Sequence, residues 1–456
     1  MSLAPEFTPF IQGAPCTVMT RLAAEWMLDD QALAQLFDTH AVDQYQREIT
    51  LSNLVNVMLD VACGTRRSPR AAYLARKEEI AASLSAFYGK LNRTEPVLGQ
   101  ALVAHSAERG GELIHALGGA RAEPVRGFQS FILDGNMLAG TDHRLEPLRG
   151  TRAAALPGKS LALYECATGL VKKAILWEDA HSQERALLPD LTFEAGWHVI
   201  ADRNFCVTWF LANLESSGAY FTVRQHRGSM PLESLETVGK RRRCGRCETG
   251  VVYEQTIRVV HQGKEFLWRM ITLKLDQPTR DGEIQIVLIS NLPARVRAQT
   301  IAMIYRLRWS IEGHFQRLTD WLHCEVPTLA YPRAALFAFA MSLVAGNLLA
   351  IVIAGIRAVH GDDLADNLSY CVLADEAGGA YRGMMLALPP ERWEGFQAYT
   401  PKQMARLLRQ VARHTDAVQL RKTVRGPKKP RRTPNCKKIR HVSTHRVLQK
   451  QLTKSC

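Results

Sequence analysis

The last 36 residues of this chain, 421–456, contain no aspartate or glutamate, against 13 lysines and arginines. The rest is almost neutral, with 45 basic and 44 acidic residues, so nearly all of the net charge of +14 sits in this basic tail. Such a stretch is too charged and too poor in apolar residues to fold alone. It reads as an arm held by phosphates through counterion release, with Lys428, Lys429, Arg431 and Arg432 at its densest point. A disulfide rhythm is missing as well: the ten cysteines are scattered, and no signal peptide is seen at the start, so a reducing cytoplasm is expected. Cys244 and Cys247 in RRRCGRCETG have the spacing of half a zinc site. A second half is lacking and no histidine pair follows, so two ordinary thiols in a basic turn are the plainer reading. Only one long apolar run occurs, AALFAFAMSLVAGNLLAIVIAGI at 334–356. It could span a bilayer by length, but Ser342, Gly346 and Asn347 interrupt it. A helix buried on all sides of a large domain explains it, and no membrane is expected.

What is present is the composition of a globular protein, 46% hydrophobic over 456 residues, with room for several domains. Residues 1–125 show apolar recurrence at three and four positions, with Ser52 and Ser68 as N-caps, and are expected to form a helical N-terminal domain suited to DNA binding or to packing. The texture then changes. Phe131–Leu133 is a buried strand ending in Asp134-Gly135, and SLALYECA and LVKKAILWED are two more strands around a turn at Thr168-Gly169. Trp197–Ala201 is a fourth strand ending in Asp202, followed by a helix closed by Gly218 and by the strand AYFTVRQ. These fall in 126–224. Alternating segments at 225–297 predict a β-rich insertion. Residues 298–360 resume the helical pattern, 361–420 form a C-terminal helical region, and 421–456 are the tail.

After the insertion, IYRLRWSIEGHF is expected to lie on one amphipathic helix. At about 100° per residue, Tyr305, Arg308 and Glu312 cluster within roughly 60°, beside an apolar stripe of Ile301, Ile304, Ile311, Phe315 and Leu318. An i, i+4 salt bridge between Arg308 and Glu312 is the bland explanation. Asp134-Gly135 is on its own a turn, and Asp202-Arg203 on its own a local ion pair. Taken together, however, three strands, a strand with its acid, a helix, a strand and then a glutamate-bearing helix resemble the order of a ribonuclease-H-like fold, and that resemblance implies that Asp134, Asp202 and Glu312 meet at one end of a sheet. Carboxylates so crowded repel unless cations neutralise them. Hard oxygen ligands favour Mg²⁺ or Mn²⁺, and two such ions can drive an in-line phosphoryl displacement.

YRLRWSIE resembles the tyrosine–x2–arginine–x3–glutamate signature of bacterial insertion-sequence transposases, the DDE enzymes of the IS-four-type family within the ribonuclease-H-like integrase superfamily. LDGN and ADRNF are similar to the motifs around that group's two catalytic aspartates. The resemblance spans about residues 128–322. It implies an α/β, ribonuclease-H-like mixed five-stranded sheet with flanking helices, interrupted by the β-rich insertion. It implies Asp134, Asp202 and Glu312 as catalytic metal ligands for two Mg²⁺ or Mn²⁺ ions, with Tyr305 and Arg308 on the DNA. One position departs: the family's pattern has a lysine seven residues after the glutamate, and this chain has Thr319. Arg317 lies roughly 140° around the helix from Glu312 and does not replace it. Arg203, Arg224 and the run Lys240, Arg241, Arg242, Arg243 are further DNA candidates. Trp309 borders the acidic face and is the better of two candidates, with Trp268, for stacking a base.

The expected function is Mg²⁺-dependent cleavage at insertion-sequence ends and strand transfer into target DNA, by a homodimer on paired terminal inverted repeats in the cytoplasm. A metal-dependent nuclease without strand transfer, or a DNA-binding protein derived from a transposase without catalysis, are the alternatives.

Overall fold

In the computed structural model the described residues are 3–279, 282–323, 325–416, 418–423 and 441–453. Eleven strands are found among them: β1 Gln129–Met137, β2 Ala154–Leu156, β3 Lys159–Glu165, β4 Val171–Trp177, β5 Trp197–Ala201, β6 Tyr220–Arg224, β7 Glu236–Cys247, β8 Gly250–His261, β9 Lys264–Leu275, β10 Gln285–Ser290 and β11 His441–Ser443. Nine of them make one sheet in the order β4-β3-β1-β5-β6-β10-β9-β8-β7. β1 runs antiparallel to β3 and parallel to β5, and β5 runs parallel to β6.

The central strands alternate because both their faces are buried. Phe131, Leu133, Leu161, Leu163, Val199, Ala201, Phe221 and Val223 enter one core, closed by Leu187, Leu188, Phe210 and Leu211. Ile132, Ala162 and Ile200 enter the other, much larger core. On that side a polar ladder crosses four strands. His198 Nε2 lies 2.9 Å from Thr222 Oγ1, and Thr222 Oγ1 lies 3.2 Å from Ser290 Oγ. Ser130 Oγ approaches His198 Nδ1 at 3.5 Å.

The sheet differs from the expectation in extent. β10 pairs antiparallel with β6, so the strands of the 225–297 segment continue the sheet through backbone hydrogen bonds. They give β6 the partner that a five-stranded sheet would leave it without at its edge.

The apolar run forms the Pro332–His360 helix, whose residues from Ala334 to Arg357 are buried. It is long and apolar enough to cross a membrane, and its most hydrophobic window is wholly covered by the fold. Asn347 shows why a polar residue sits there. Its Oδ1 accepts from Val171 N at 2.8 Å and its Nδ2 donates to Ser106 Oγ at 2.8 Å, tying the helix to β4 and to the Pro96–Leu117 helix. Gly346 admits Leu318 and His314, whose atoms would stand 3.1 and 3.3 Å from a Cβ placed there. Helices Pro15–Met27, Leu51–Ala62, Pro96–Leu117 and Pro401–Ala412 share the same large core. Ser68 caps its helix as expected. The helix that begins at Leu51 is capped instead by Thr50, in a reciprocal capping box with Asn53.

Part of the basic tail, expected not to fold alone, is folded against the rest of the chain. β11 pairs in parallel with β2, and Thr444–Leu452 is helical. Ser443 Oγ and Arg446 Nε both donate to Asp179, at 2.9 and 2.8 Å, and this is the tertiary support that a basic segment cannot supply for itself. Lys428, Lys429, Arg431 and Arg432 lie outside the described residues.

Candidate functional site

β1 and β5 are in register from Gln129–Trp197 to Leu133–Ala201. Asp134 and Asp202 are therefore the next residues on two adjacent parallel strands. Both follow isoleucines by two positions, so both carboxylates leave on the face of the large core. Asp134 Oδ1 accepts the Gly135 N–H at 3.0 Å. Asp202 forms no ion pair with Arg203; its carboxylate caps a 3-10 turn by accepting the Arg203 N–H.

The segment that carries the third acid is not one continuous helix. Ala298–Ile304 is α-helical, Tyr305–Arg308 tightens into a 3-10 turn, and Trp309–Trp321 resumes the α-helix. With three residues per turn, Tyr305 and Arg308 stand one above the other, and this turn packs over β1 and β5. Arg308 Nη1 is 2.6 Å from Glu312 Oε1 and 3.6 Å from Asp134 Oδ2. The i, i+4 pair thus exists, but it is half of a bridge that brings Glu312 to Asp134. Glu312 stays half exposed, at 50% for its side chain, whereas Asp134 is at 16%.

Burial pushes the Asp134 carboxyl up to about 7. Arg308 and the Gly135 N–H oppose the shift, while the negative charges of Asp202 and Glu312 add to it. Burial also raises the Tyr305 phenol, with Asp202 adding to that rise. Among the described residues, Tyr305 Oη and Arg308 Nε are buried with no hydrogen-bond partner. No three His, Cys, Asp or Glu side chains among the described residues form a metal-binding group as folded. A guanidinium lies between Asp134 and Glu312 in the place of a cation. The donor chemistry, carboxylate oxygens without sulfur or imidazole, still suits a hard divalent ion.

Residues 131–348 match the family model of the transposase DDE domain. The match begins in β1, takes in both aspartates and the glutamate, and ends in the long buried helix; it supports a transposase function. No curated protein matches the chain.

The other sequence candidates are distributed unevenly over the fold. Arg224 ends β6, pairs with Glu283 and contributes to the field at Tyr305. Trp309 is half exposed and, with Tyr305, Arg306, Leu273 and Ile286, lines a cleft of about 480 Å³ that reaches Tyr305 but is lined by none of the three acids. Arg203 is exposed beside Asp202. Lys240, Arg241, Arg242 and Arg243 lie on β7, the outermost strand, with Arg242 paired to Glu254 at 2.9 Å and Arg241 over the Tyr253 ring. Trp268 is wholly buried, donates to Glu215 Oε2 at 2.6 Å and packs edge-on against Phe221, which makes it a core residue. Cys244 Sγ faces Glu254, and Cys247 Sγ faces Thr249. Arg317 stacks on Tyr370, away from the acids. Sequence reasoning missed Glu184. Its carboxylate lies against Gly135 and accepts from Asn204 Nδ2 at 2.6 Å. Nothing in HSQERALLPD sets this glutamate apart, since the contact arises only when the chain folds back past β5.

Proposed function

We propose that this chain is a DDE transposase that cleaves DNA at the ends of an insertion sequence and joins the freed 3′-hydroxyl to target DNA. One observation carries the reading: Asp134 and Asp202 leave neighbouring parallel strands at one level, and Arg308 ties Glu312 to the first of them. The order β4-β3-β1-β5-β6, with its antiparallel and parallel pairs, is read as a ribonuclease-H-like core extended by the β7–β10 strands. Asp134, Asp202 and Glu312 would hold Mg²⁺ or Mn²⁺, two ions per site, and ions in such a site activate a water or 3′-hydroxyl and stabilise the leaving oxygen.

The chain's own residues do the rest. Arg308 exchanges its carboxylates for a phosphate of the DNA end, since its fork of donors serves either partner. The unpartnered Tyr305 hydroxyl takes a second phosphate contact, and the Trp309 cleft shelters bases displaced from the end. Arg203, Arg224, Lys240, Arg241, Arg242 and Arg243, together with Lys428, Lys429, Arg431 and Arg432 of the tail, supply backbone contacts. The N-terminal helices read the end sequence, and a homodimer pairs two ends, in the cytoplasm and on the nucleoid.

The test is a supercoiled donor plasmid carrying the element's inverted repeats, incubated with Mg²⁺ and target DNA. Joined products are expected. Cleavage without joining would make the chain a nuclease, and binding without cleavage a DNA-binding descendant. Alanine at Asp134, Asp202 or Glu312 is expected to abolish cleavage and leave end binding largely intact, read by gel shift; failure to bind would make these residues structural.

A further inference from the structure

Successive side chains of a strand point to opposite faces, so Gly135 faces away from Asp134, toward the smaller core. That side is occupied. A Cβ on Gly135 would lie 2.6 Å from both Cδ and Oε1 of Glu184. The other carboxylate oxygen of Glu184 accepts from Asn204 Nδ2 at 2.6 Å. The next residue, Arg185, donates from Nε to the Asn204 backbone oxygen at 2.5 Å. Asn204 is two residues beyond Asp202, inside the turn that the Asp202 carboxylate caps. Glu184 and Arg185 thus grip Asn204 by its side chain and its backbone, while the Glu184 carboxylate packs on the residue after Asp134. The pair is itself anchored, because the 3-10 turn Glu184–Asp190 buries Leu187 and Leu188 in the smaller core.

We infer that Glu184, seconded by Arg185, is a positioning residue: from the far face of the sheet it fixes how the strand ends bearing Asp134 and Asp202 stand relative to each other, and Gly135 is glycine to admit it. The inference rests on the reading of the two aspartates as ligands of a divalent ion. Glu184 does not touch the ion site. It acts through Gly135 and Asn204, as outer hydrogen-bond partners commonly orient the groups that bind a metal.

The experiment uses the full-length chain and five variants: Glu184→Ala, Glu184→Gln, Gly135→Ala, the double variant Gly135→Ala/Glu184→Ala and, as a control, Asp134→Ala. Two quantities are read, the Mg²⁺ concentration giving half-maximal cleavage and, without DNA or turnover, the rise in melting temperature on adding Mn²⁺. Glu184→Ala is expected to raise the half-maximal Mg²⁺ by about tenfold or more and to shrink the Mn²⁺ response, with end binding in the absence of metal unchanged. Glu184→Gln keeps a carbonyl acceptor for Asn204 and is expected to recover most of both. Gly135→Ala must push the Glu184 carboxylate aside and is expected to match Glu184→Ala, the two changes together adding little. Wild-type metal responses in Glu184→Ala, a glutamine no better than alanine, or fully additive effects would each overturn the clamp. Asp134→Ala is the control that separates the two readings. If it removes cleavage and the Mn²⁺ response while Glu184→Ala changes neither, the clamp alone fails. If it changes neither, the ligand reading fails and the clamp with it.

Discussion

Asp134 is the residue on which opposing forces meet. Burial raises its carboxyl to about 7 from an ordinary 3.8, because the compensation from Arg308 is shared with Glu312 and comes from 3.6 Å. The folded state therefore holds this proton more tightly than the unfolded chain. What the group contributes to stability is full below about 3.8 and is lost as the pH rises through about 7. Asp134→Asn removes that loss. In the ion-free protein it is expected to raise the melting temperature at about pH 8 by about 2–4 °C over wild type, with the gap narrowing at about pH 5, both read by scanning fluorimetry. An unchanged or lower melting temperature at the higher pH would show that the Arg308 contact fully compensates the charge. At this scale the position of Asp134 and Asp202 at the ends of apolar runs was legible, though either acid taken alone reads equally as a turn or a local ion pair. The i, i+4 spacing also announced the Arg308–Glu312 pair. The reach of Arg308 to Asp134 and the Glu184 contact were not legible, because each joins segments with no shared local pattern.

Among the elements, the Pro332–His360 helix is one of those packed against the helix that carries the glutamate, at Gly346. Its hydrophobicity was plain in the sequence, and the polar interruptions argued for burial within protein. What they satisfied, Val171 N and Ser106 Oγ for Asn347, needed coordinates. The helical period over 301–322 likewise gave the correct buried stripe and missed the 3-10 tightening at Tyr305–Arg308, since a three-residue turn barely disturbs a pattern of 3.6. Gly346 is where the long helix meets the Glu312 helix, against Leu318 and His314. Gly346→Val would drive these apart, at a cost of about 1–3 kcal/mol for overpacking. Because Glu312 lies on the displaced helix, cleavage is expected to fall by about a hundredfold, more than the melting temperature alone would explain. The measurement is cleavage rate at a temperature where circular dichroism shows the variant folded. A rate within twofold of wild type would mean that the Glu312 helix is placed by its other contacts, such as those to β1 and to Tyr370–Gly379.

Across the whole molecule, charge and fold divide the labour unevenly. Residues 1–420 are nearly neutral, whereas the segment between Lys422, whose N–H bonds to the Asn367 carbonyl, and β11, which pairs with β2, is rich in lysine and arginine. The described residues on either side of that segment are bonded to the fold, which composition alone had no means of showing: after it, the docking depends on Asp179, far away in sequence, and on the register of β11 with β2. Neutralising Lys428, Lys429, Arg431 and Arg432 together to glutamine is then expected to weaken binding to all DNA sequences about equally. It is also expected to flatten the dependence of log affinity on log salt by up to about 3–4, at roughly 0.9 for each phosphate no longer neutralised. Arg446→Ala, which keeps those four cations but breaks the contact with Asp179, is expected to change the slope by no more than about 1. Titrations of end DNA and of unrelated DNA over a range of salt decide it. A slope unchanged in the fourfold variant would mean that these cations meet solvent, not phosphate, and that DNA is held by the arginines around the acids and on β7.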